Sequence, residues 1–386
     1  MYHCHDDPFP TTFHLNRAAA WFLQRQTVKK LLDRDISSIL LRLLLFMYTG
    51  QKLKVRWSDH DSQVFCVSNG VKQGGVLSPV LFSVYVDDLF KRLESNGVGC
   101  HIGNHFVGCI GYADDLTLLA PSGKALQTMI KVCEDYADDF DILFNGSKSQ
   151  LLVFRGISCG ISDCTVVVNN TCIDSSENAI HLGHYVSCVD KSSMVRNCVN
   201  KFWQQYNVLM SDFGNICPYL TCKLFKQYCT NFYGAPLLSF ANHDLIAVAW
   251  RKALRRLWRI PPQTHCTLVA LLCESSPIEI SLKERFRKFC NTVMNSKNKV
   301  MQCVVKKALT NPFSIFCSNY IHLKRNYENC IISNKNINHL WFENVSLQDR
   351  ATVAAIQELV EMRDGTKTCI LTDLEVNSMI EELCVR

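Results

Sequence analysis

Apolar positions set out the elements of the chain before any other property is considered. Leu31, Leu32, Leu40, Leu41, Leu43, Leu44 and Leu45 predict one helix over 28–48, which Gly50 ends. Leu53 to Trp57 and Gln63 to Val67 alternate as two strands joined by a polar turn through Asp59 and Asp61. A loop carrying Asn69-Gly70 and Gln73-Gly74-Gly75 follows. Ser78 as N-cap and Pro79 at the first helical position then open a helix through Leu81, Phe82, Tyr85, Leu89 and Leu93. Val107 to Tyr112 and Leu116 to Leu119 form a second β pair that meets at Ala113-Asp114-Asp115, and Pro121-Ser122-Gly123 ends it. Residues 124–140 read as a helix with Leu126, Met129, Ile130, Cys133, Tyr136 and Ala137 inward. Ile142 to Phe144 and Leu151 to Phe154 read as strands around Asn145-Gly146-Ser147-Lys148. Helices alternating with antiparallel hairpins predict an α+β fold. From about 193 the pattern is helical, and after about 300 it is irregular apart from a helical stretch, Val353 to Met362.

Composition narrows the class. The 386 residues are 48% apolar and 20% charged, which excludes a disordered chain or a coiled-coil rod. The longest apolar run, Ile39 to Tyr48, contains Arg42 and falls short of the ~20 residues a spanning helix needs. The first thirty residues carry no signal-peptide pattern, so the expectation is an intracellular protein that is neither secreted nor in a membrane. The 21 cysteines include no CxxC pair, and His3-Cys4-His5 and His181/His184 lack zinc-module spacing. They read as reduced, small apolar residues.

The net charge of +6 hides a local bias. Residues 201–300 hold 14 Lys/Arg against 5 Asp/Glu, whereas residues 1–200 hold 18 against 20 and residues 341–386 hold 4 against 9. Within Val248 to Arg259, the residues Arg251, Lys252, Arg255, Arg256 and Arg259 fall along one side of a helix, and Ala249, Ala253, Leu254, Leu257 and Trp258 along the other. Such a stripe is either a solvated helix face or a surface that follows phosphates.

Asp114 and Asp115 occupy the tight turn between two apolar strands. Two hard oxygen donors there suit Mg²⁺, which takes one or two carboxylates plus substrate phosphates. By themselves the two residues are better read as capping a hairpin. Their surroundings favour the first reading. Gly111-Tyr112-Ala113-Asp114-Asp115-Leu116 resembles the metal-binding turn of reverse transcriptases, and Ser68 to Phe82 resembles that family's Gln-Gly loop and following helix. Phe144-Asn145-Gly146-Ser147-Lys148 matches its lysine-bearing palm element, and His181-Leu182-Gly183-His184 its Leu-Gly turn. Four motifs in family order, over about residues 29–290, are most similar to non-LTR (LINE-type) retrotransposon polymerases. Lys223 to Gly234 resemble the helices that follow the palm, and Trp250 to Cys266 the basic thumb-side signature.

The resemblance implies an RNA-directed DNA polymerase with an antiparallel palm sheet, packed helices and a helical thumb. It implies that Asp114 and Asp115 hold Mg²⁺, with Mn²⁺ as a substitute. Gln73, Gly74 and Gly75 would shape the nucleotide pocket, Tyr112 would pack beside the turn, and Lys148 would face the triphosphate. Leu182 and Gly183 would position the primer end. The stripe from Arg251 to Arg259 would follow the RNA–DNA hybrid backbone by charge. The implied partners are an RNA template, a DNA primer and deoxynucleoside triphosphates, and nothing specifies an oligomeric state. The implied domains are an unmatched segment at 1–28, partial fingers and palm at 29–192, a basic thumb-like region at 193–300 and a tail at 301–386.

Two features depart from the family. A second copy of the motif, Tyr136-Ala137-Asp138-Asp139, lies inside the predicted helix, so its carboxylates should face solvent. The family's earlier palm carboxylate, in a Phe-x-Asp-x-x-Lys-Ala-Phe-Asp segment, aligns with Thr12 to Ala20. There His14 takes the metal position and Arg17-Ala18 the Lys-Ala place. Most of the fingers and any endonuclease domain are also unmatched. Loss of one metal carboxylate removes several kcal/mol of transition-state stabilisation, at about 1.4 kcal/mol per tenfold in rate. The expectation is therefore a polymerase fold of little activity. The competing readings are a non-catalytic nucleic-acid-binding remnant and the reading frame of a dead element.

Overall fold

A computed structural model describes residues 28–49, 51–67, 75–140, 142–154, 164–188 and 191–364. His14, Arg17, Ala18, Asn69, Gly70, Gln73 and Gly74 lie outside the described residues. Two compact units meet in sequence between Ser176 and Glu177.

In the first unit the helix expected over 28–48 is broken. Asp35 turns left-handed (φ 58°), and the amides of Asp35 and Ile36 return to the carbonyls of Leu32 and Leu31, closing a Schellman-type stop. Ser37 caps a new helix, α1 (Ser38–Tyr48), of which Leu41 is buried while Ile39 and Phe46 are exposed. The expected strand pair is a short nested hairpin: β1 (Gln51–Leu53) pairs with β4 (Phe65–Val67), and β2 (Arg56–Trp57) with β3 (His60–Asp61). Helix α2 (Ser78–Asn96) starts one residue early. Leu77 takes the N-cap position without a side-chain bond, and Ser78 is buried in the first turn, so Ser78 is not the cap. A small hairpin unseen in the sequence, β5 (His101–Ile102) with β6 (His105–Phe106), precedes β7 (Cys109–Tyr112) and β8 (Asp115–Leu118).

Helix α3 (Gly123–Phe140) joins two cores. Its Met129, Cys133, Tyr136 and Phe140 meet Tyr85, Leu89 and Leu93 of α2, and Ile130 meets a second cluster with Leu151, Val166, Val168 and Ile173. That cluster belongs to a three-stranded sheet. β10 (Thr165–Val168) is antiparallel to β11 (Thr171–Ser176), which runs parallel to β9 (Leu151–Leu152). Ile142 to Phe144 form no strand. Phe144 packs on both clusters as irregular chain, because its carbonyl accepts from the Asn169 side chain instead of a ladder. Asp138 and Asp139 are exposed on α3, as the second copy of the motif requires, and Asp139 pairs with Arg92 at 2.8 Å.

A buried cation fastens the start of this unit. Lys30 Nζ donates to the Tyr85 carbonyl at 2.6 Å and to Tyr136 Oη at 3.0 Å, pairs with Asp88 at 3.0 Å and lies 4.3 Å from the Phe140 ring centroid. Burial lowers the Lys30 pKa, and the hydrogen bond and charge of Asp88 only partly oppose it.

The second unit opens with hairpin β12 (Asn178–His181) and β13 (His184–Ser187), followed by the long helix α4 (Lys191–Phe213), then α5 (Pro218–Tyr228) and α6 (His243–Trp258). Helix α6 is the axis: Ile246, Ala247, Ala249, Trp250, Ala253, Leu254, Leu257 and Trp258 are all buried, against α4, α5, α7 (Cys266–Leu272) and α8 (Ile278–Met294). The segment after 300 is helical, not irregular: α9 (Lys299–Thr310), α10 (Ile315–Ser333), α11 (Ile337–Glu343) and α12 (Leu347–Asp364). A buried ion pair organises it. Glu284 accepts two 2.8 Å bonds from Arg287 and a third from the Ile337 amide, and Arg287 reaches Asn334 at 2.6 Å. Among the described residues no helix is long and apolar enough to cross a membrane, and the described cysteines are free thiols.

Two outcomes follow from these buried charges. Urea unfolding should show Lys30→Met, which keeps the apolar stem and discards the charge, costing under about 1 kcal/mol, and Asp88→Ala costing about 1–3 kcal/mol by leaving the ammonium uncompensated. His243 is buried at the start of α6, and both its ring nitrogens lack a partner among the described residues. Burial, with Lys283 adding to it and Asp244 opposing it, pushes its pKa down to about 4. The unfolded chain binds this proton more tightly than the folded one does. Stability should therefore fall as pH drops from about 6.5 towards about 4, and His243→Leu should flatten that slope in thermal melts taken across the range.

Candidate functional site

The β7–β8 hairpin carries the first set of candidates. Its register pairs Cys109 with Leu118, Ile110 with Thr117, Gly111 with Leu116 and Tyr112 with Asp115, leaving a two-residue turn of Ala113-Asp114. Such turns need φ > 0 at the first central residue, and Ala113 supplies it at 51° despite its Cβ, at a cost of about 1–2 kcal/mol. One face of the hairpin is held: Cys109, Leu116 and Leu118 pack on the α2–α3 core. Gly111 lies on Phe90 so closely that a Cβ there would strike the ring. The other face is open, with Ile110 and Tyr112 exposed, and Asp114 and Asp115 exposed at the tip. Tyr112 stands directly across from Asp115, beside the turn.

Lys148 is exposed at the end of a single 3₁₀ turn, 146–148. The Asn145 side chain caps that turn by accepting from the Lys148 amide at 3.1 Å and from Ser147 at 2.7 Å. Gly146 is buried, and a Cβ there would stand 2.7 Å from Thr171 Cβ, so a glycine is what lets the turn sit against the β10–β11 hairpin. Gly75 is half-buried, and its carbonyl accepts from Ser78 at the start of α2.

The two carboxylates meet part of the requirement for a divalent cation. Asp114 and Asp115 are adjacent and solvent-accessible, and their hard oxygens match Mg²⁺ bound together with substrate phosphates and water. Among the described residues no group of three or more His, Cys, Asp or Glu side chains could enclose a metal by itself. The donor set fits one ion that shares its coordination with a ligand.

Leu182 and Gly183 form the β12–β13 turn. Both have positive φ, 49° and 74°, which defines a type I′ connection with His181 and His184 as the closing pair. Lys201 of α4 donates to the Gly183 carbonyl at 3.3 Å. His184 stacks on Tyr233, with centroids 4.3 Å apart and planes at 19°.

The basic stripe divides in the folded unit. Arg251 pairs with Glu279 at 2.5 Å, and Arg255 gives Nε and Nη2 to the Thr264 carbonyl at 3.1 and 2.7 Å; both are half-buried. Lys252, Arg256 and Arg259 are exposed. Arg256 lies 5.3 Å from the Trp203 ring centroid, and Arg259 closes α6 in a left-handed conformation (φ 51°). The structure thus gathers Tyr112, Asp114 and Asp115 on one turn of the first unit. It gathers Leu182 and Gly183 with Lys201, His184 and Tyr233 in the second. Sequence reasoning passed over Lys201, Tyr233 and Trp203 as site residues. Lys201 and Trp203 stand in no motif, Tyr233 stands in the post-palm resemblance without a role of its own, and long-range packing gives Tyr233 and Lys201 their neighbours.

Residues 13–192 match the family model for reverse transcriptase (RNA-dependent DNA polymerase). The chain is similar to the retrovirus-related Pol polyprotein from type-2 retrotransposable element R2DM of Drosophila melanogaster, at 30% identity over 28% of this chain and 10% of that protein. It is 35% identical to the R2 polyprotein of Popillia japonica over 23% of this chain and 13% of that protein. It is 26% identical to the RNA-directed DNA polymerase from mobile element jockey of Drosophila funebris over 38% of this chain and 16% of that protein. The matches thus span only 10 to 16% of the length of these relatives. The stretch from residue 13 to residue 192 is a reverse-transcriptase domain of the non-LTR retrotransposon kind.

Proposed function

We propose that the chain acts as an RNA-directed DNA polymerase domain, adding deoxynucleotides to a primer 3′-hydroxyl on an RNA template, with low turnover. The observation that carries this reading is the exposed Asp114-Asp115 pair on a two-residue hairpin turn backed by the α2–α3 core, inside a family-matched stretch. Asp114 and Asp115 would hold Mg²⁺, which supplies charge neutralisation at the phosphates when bound. The chain's own residues do the rest. Tyr112, across from Asp115, borders the nucleotide beside Gln73, Gly74 and Gly75. Lys148 faces the triphosphate and is a proton donor for departing pyrophosphate. Leu182 and Gly183 hold the primer end. Residues 29–192 would supply partial fingers and palm, a span that runs past the point where the two units meet in sequence, and residues 193–300 the thumb, where Lys252, Arg256 and Arg259 contact the hybrid backbone, and Arg251 and Arg255 support that helix.

Low turnover follows from His14, which stands where the family motif places its first metal carboxylate. An imidazole, which brings no negative charge, replaces a hard anionic ligand that a two-ion site needs. A second reading, a nucleic-acid-binding remnant without catalysis, keeps the same charged surface and is supported by the three exposed cations on α6.

Primer extension on poly(rA)·oligo(dT) with Mg²⁺ separates the two. Weak extension that Asp114→Asn abolishes and His14→Asp raises by tenfold or more would sustain the polymerase. No extension by either the parent or His14→Asp, with salt-sensitive hybrid binding retained, would favour the remnant. In both readings, replacing Lys252, Arg256 and Arg259 together by Ala should make the slope of log affinity against log salt shallower by about 2–3.

A further inference from the structure

The Leu182–Gly183 turn forms one wall of a pocket of about 100 Å³ whose other walls come from α4 and the loop after α5. Asn197, Lys201 and Gln205, spaced four apart on α4, face it, and Asn231 closes it on the loop side. Among the described residues no carboxylate lines it. Lys201 is exposed and spends one N–H on the Gly183 carbonyl, leaving two for a ligand. The lining thus combines apolar side chains such as Met194, Phe202 and Leu238 with three amides and a single lysine, and that lysine suits an anion.

Tyr233 stands at its rim. The residue is 60% exposed, yet its ring is fixed, because His184 covers one face in a parallel stack. Gly234 makes that stack fit: it has φ 81°, and a Cβ there would collide with the imidazole. Burial lowers the His184 pKa, and Lys201 and His181 push it the same way, so the ring that backs Tyr233 is neutral near pH 7. A pinned, exposed aromatic face beside a lone ammonium and three amides combines the two elements by which proteins hold single nucleic-acid strands: stacking for the base and charge for the backbone.

We propose that this pocket binds one nucleotide unit of a nucleic-acid strand, with its base stacked on Tyr233 and its phosphate held by Lys201 and Asn197. The proposal rests on the reading of the chain as a nucleic-acid polymerase domain, and it adds to the Leu182–Gly183 turn two residues to which no motif assigns a role.

The test uses the full chain and a single-stranded tetranucleotide bearing 2-aminopurine at its 3′ end, too short to span the α6 surface as well. Binding should quench the fluorescence. Tyr233→Ala should remove the quenching and weaken affinity by about tenfold, while Tyr233→Phe keeps both. Lys201→Ala should make the salt slope shallower by about 0.7. Both positions are exposed, and matching circular dichroism would establish that each variant is folded. Equal quenching and affinity in Tyr233→Ala, or no quenching by the parent chain, overturns the proposal. Hybrid binding, followed in parallel by anisotropy, separates the two readings. Hybrid binding without tetranucleotide quenching overturns the pocket alone. Tyr233-dependent quenching without hybrid binding sustains the pocket and removes the α6 surface. Loss of both overturns both.

Discussion

The first unit depends on how a single buried ammonium is satisfied. Lys30 lies among Tyr85, Tyr136 and Phe140, where an unpaired charge would cost several kcal/mol, so the chain must bring a carbonyl, a phenol and Asp88 to it. Those partners come from α2 and α3. Fixing Lys30 therefore fixes both helices against each other, with the Tyr136 phenol relaying between Lys30 and the Tyr85 carbonyl. The same helices carry Leu89, Leu93, Met129 and Cys133, on which the β7–β8 hairpin rests its inner face. The hairpin that carries Asp114 and Asp115 thus rests on two helices that the Lys30 cluster helps to hold together.

Charge is used in a similar way in the helical unit. Glu284 and Arg287 satisfy each other and then reach Ile337 and Asn334, which draws the segment after 300 onto α8. On α6 the cations that lean towards the bundle pair with Glu279 and with the Thr264 carbonyl, and Lys252, Arg256 and Arg259 are exposed. A helix with one cationic side therefore performs two tasks: half of the side secures α6 in place and half meets solvent. The same logic governs the β12–β13 turn, whose type I′ backbone exposes the Gly183 carbonyl to Lys201 while His184 turns to stack on Tyr233.

Much of the site was legible because its signals are local. The alternation of β7 and β8, the turn between them at Ala113-Asp114-Asp115 and the buried face of α6 all follow from neighbours in sequence. The failures have the opposite origin. Asp35 interrupts a leucine-rich helix because a Schellman stop and the Ser37 cap outweigh apolar periodicity. Ile142 to Phe144 have strand composition but no partner strand. The helices after 300 carry weak periodicity, and the Glu284–Arg287 cluster, 47 to 53 residues away along the chain from the groups it binds, supplies the order instead.

The sequence by itself determined the family, the adjacent carboxylates Asp114 and Asp115, the hairpin turn that presents them and the excess of positive charge in the middle of the chain. These depend on residue type and short spacing, which covalent geometry carries directly into structure. Only the tertiary structure decided which cations are half-buried and which exposed, which aromatic rings are exposed and pinned, and which lone lysine joins the Leu182–Gly183 turn. Burial and pairing are properties of surroundings assembled from distant segments, and no local pattern encodes them.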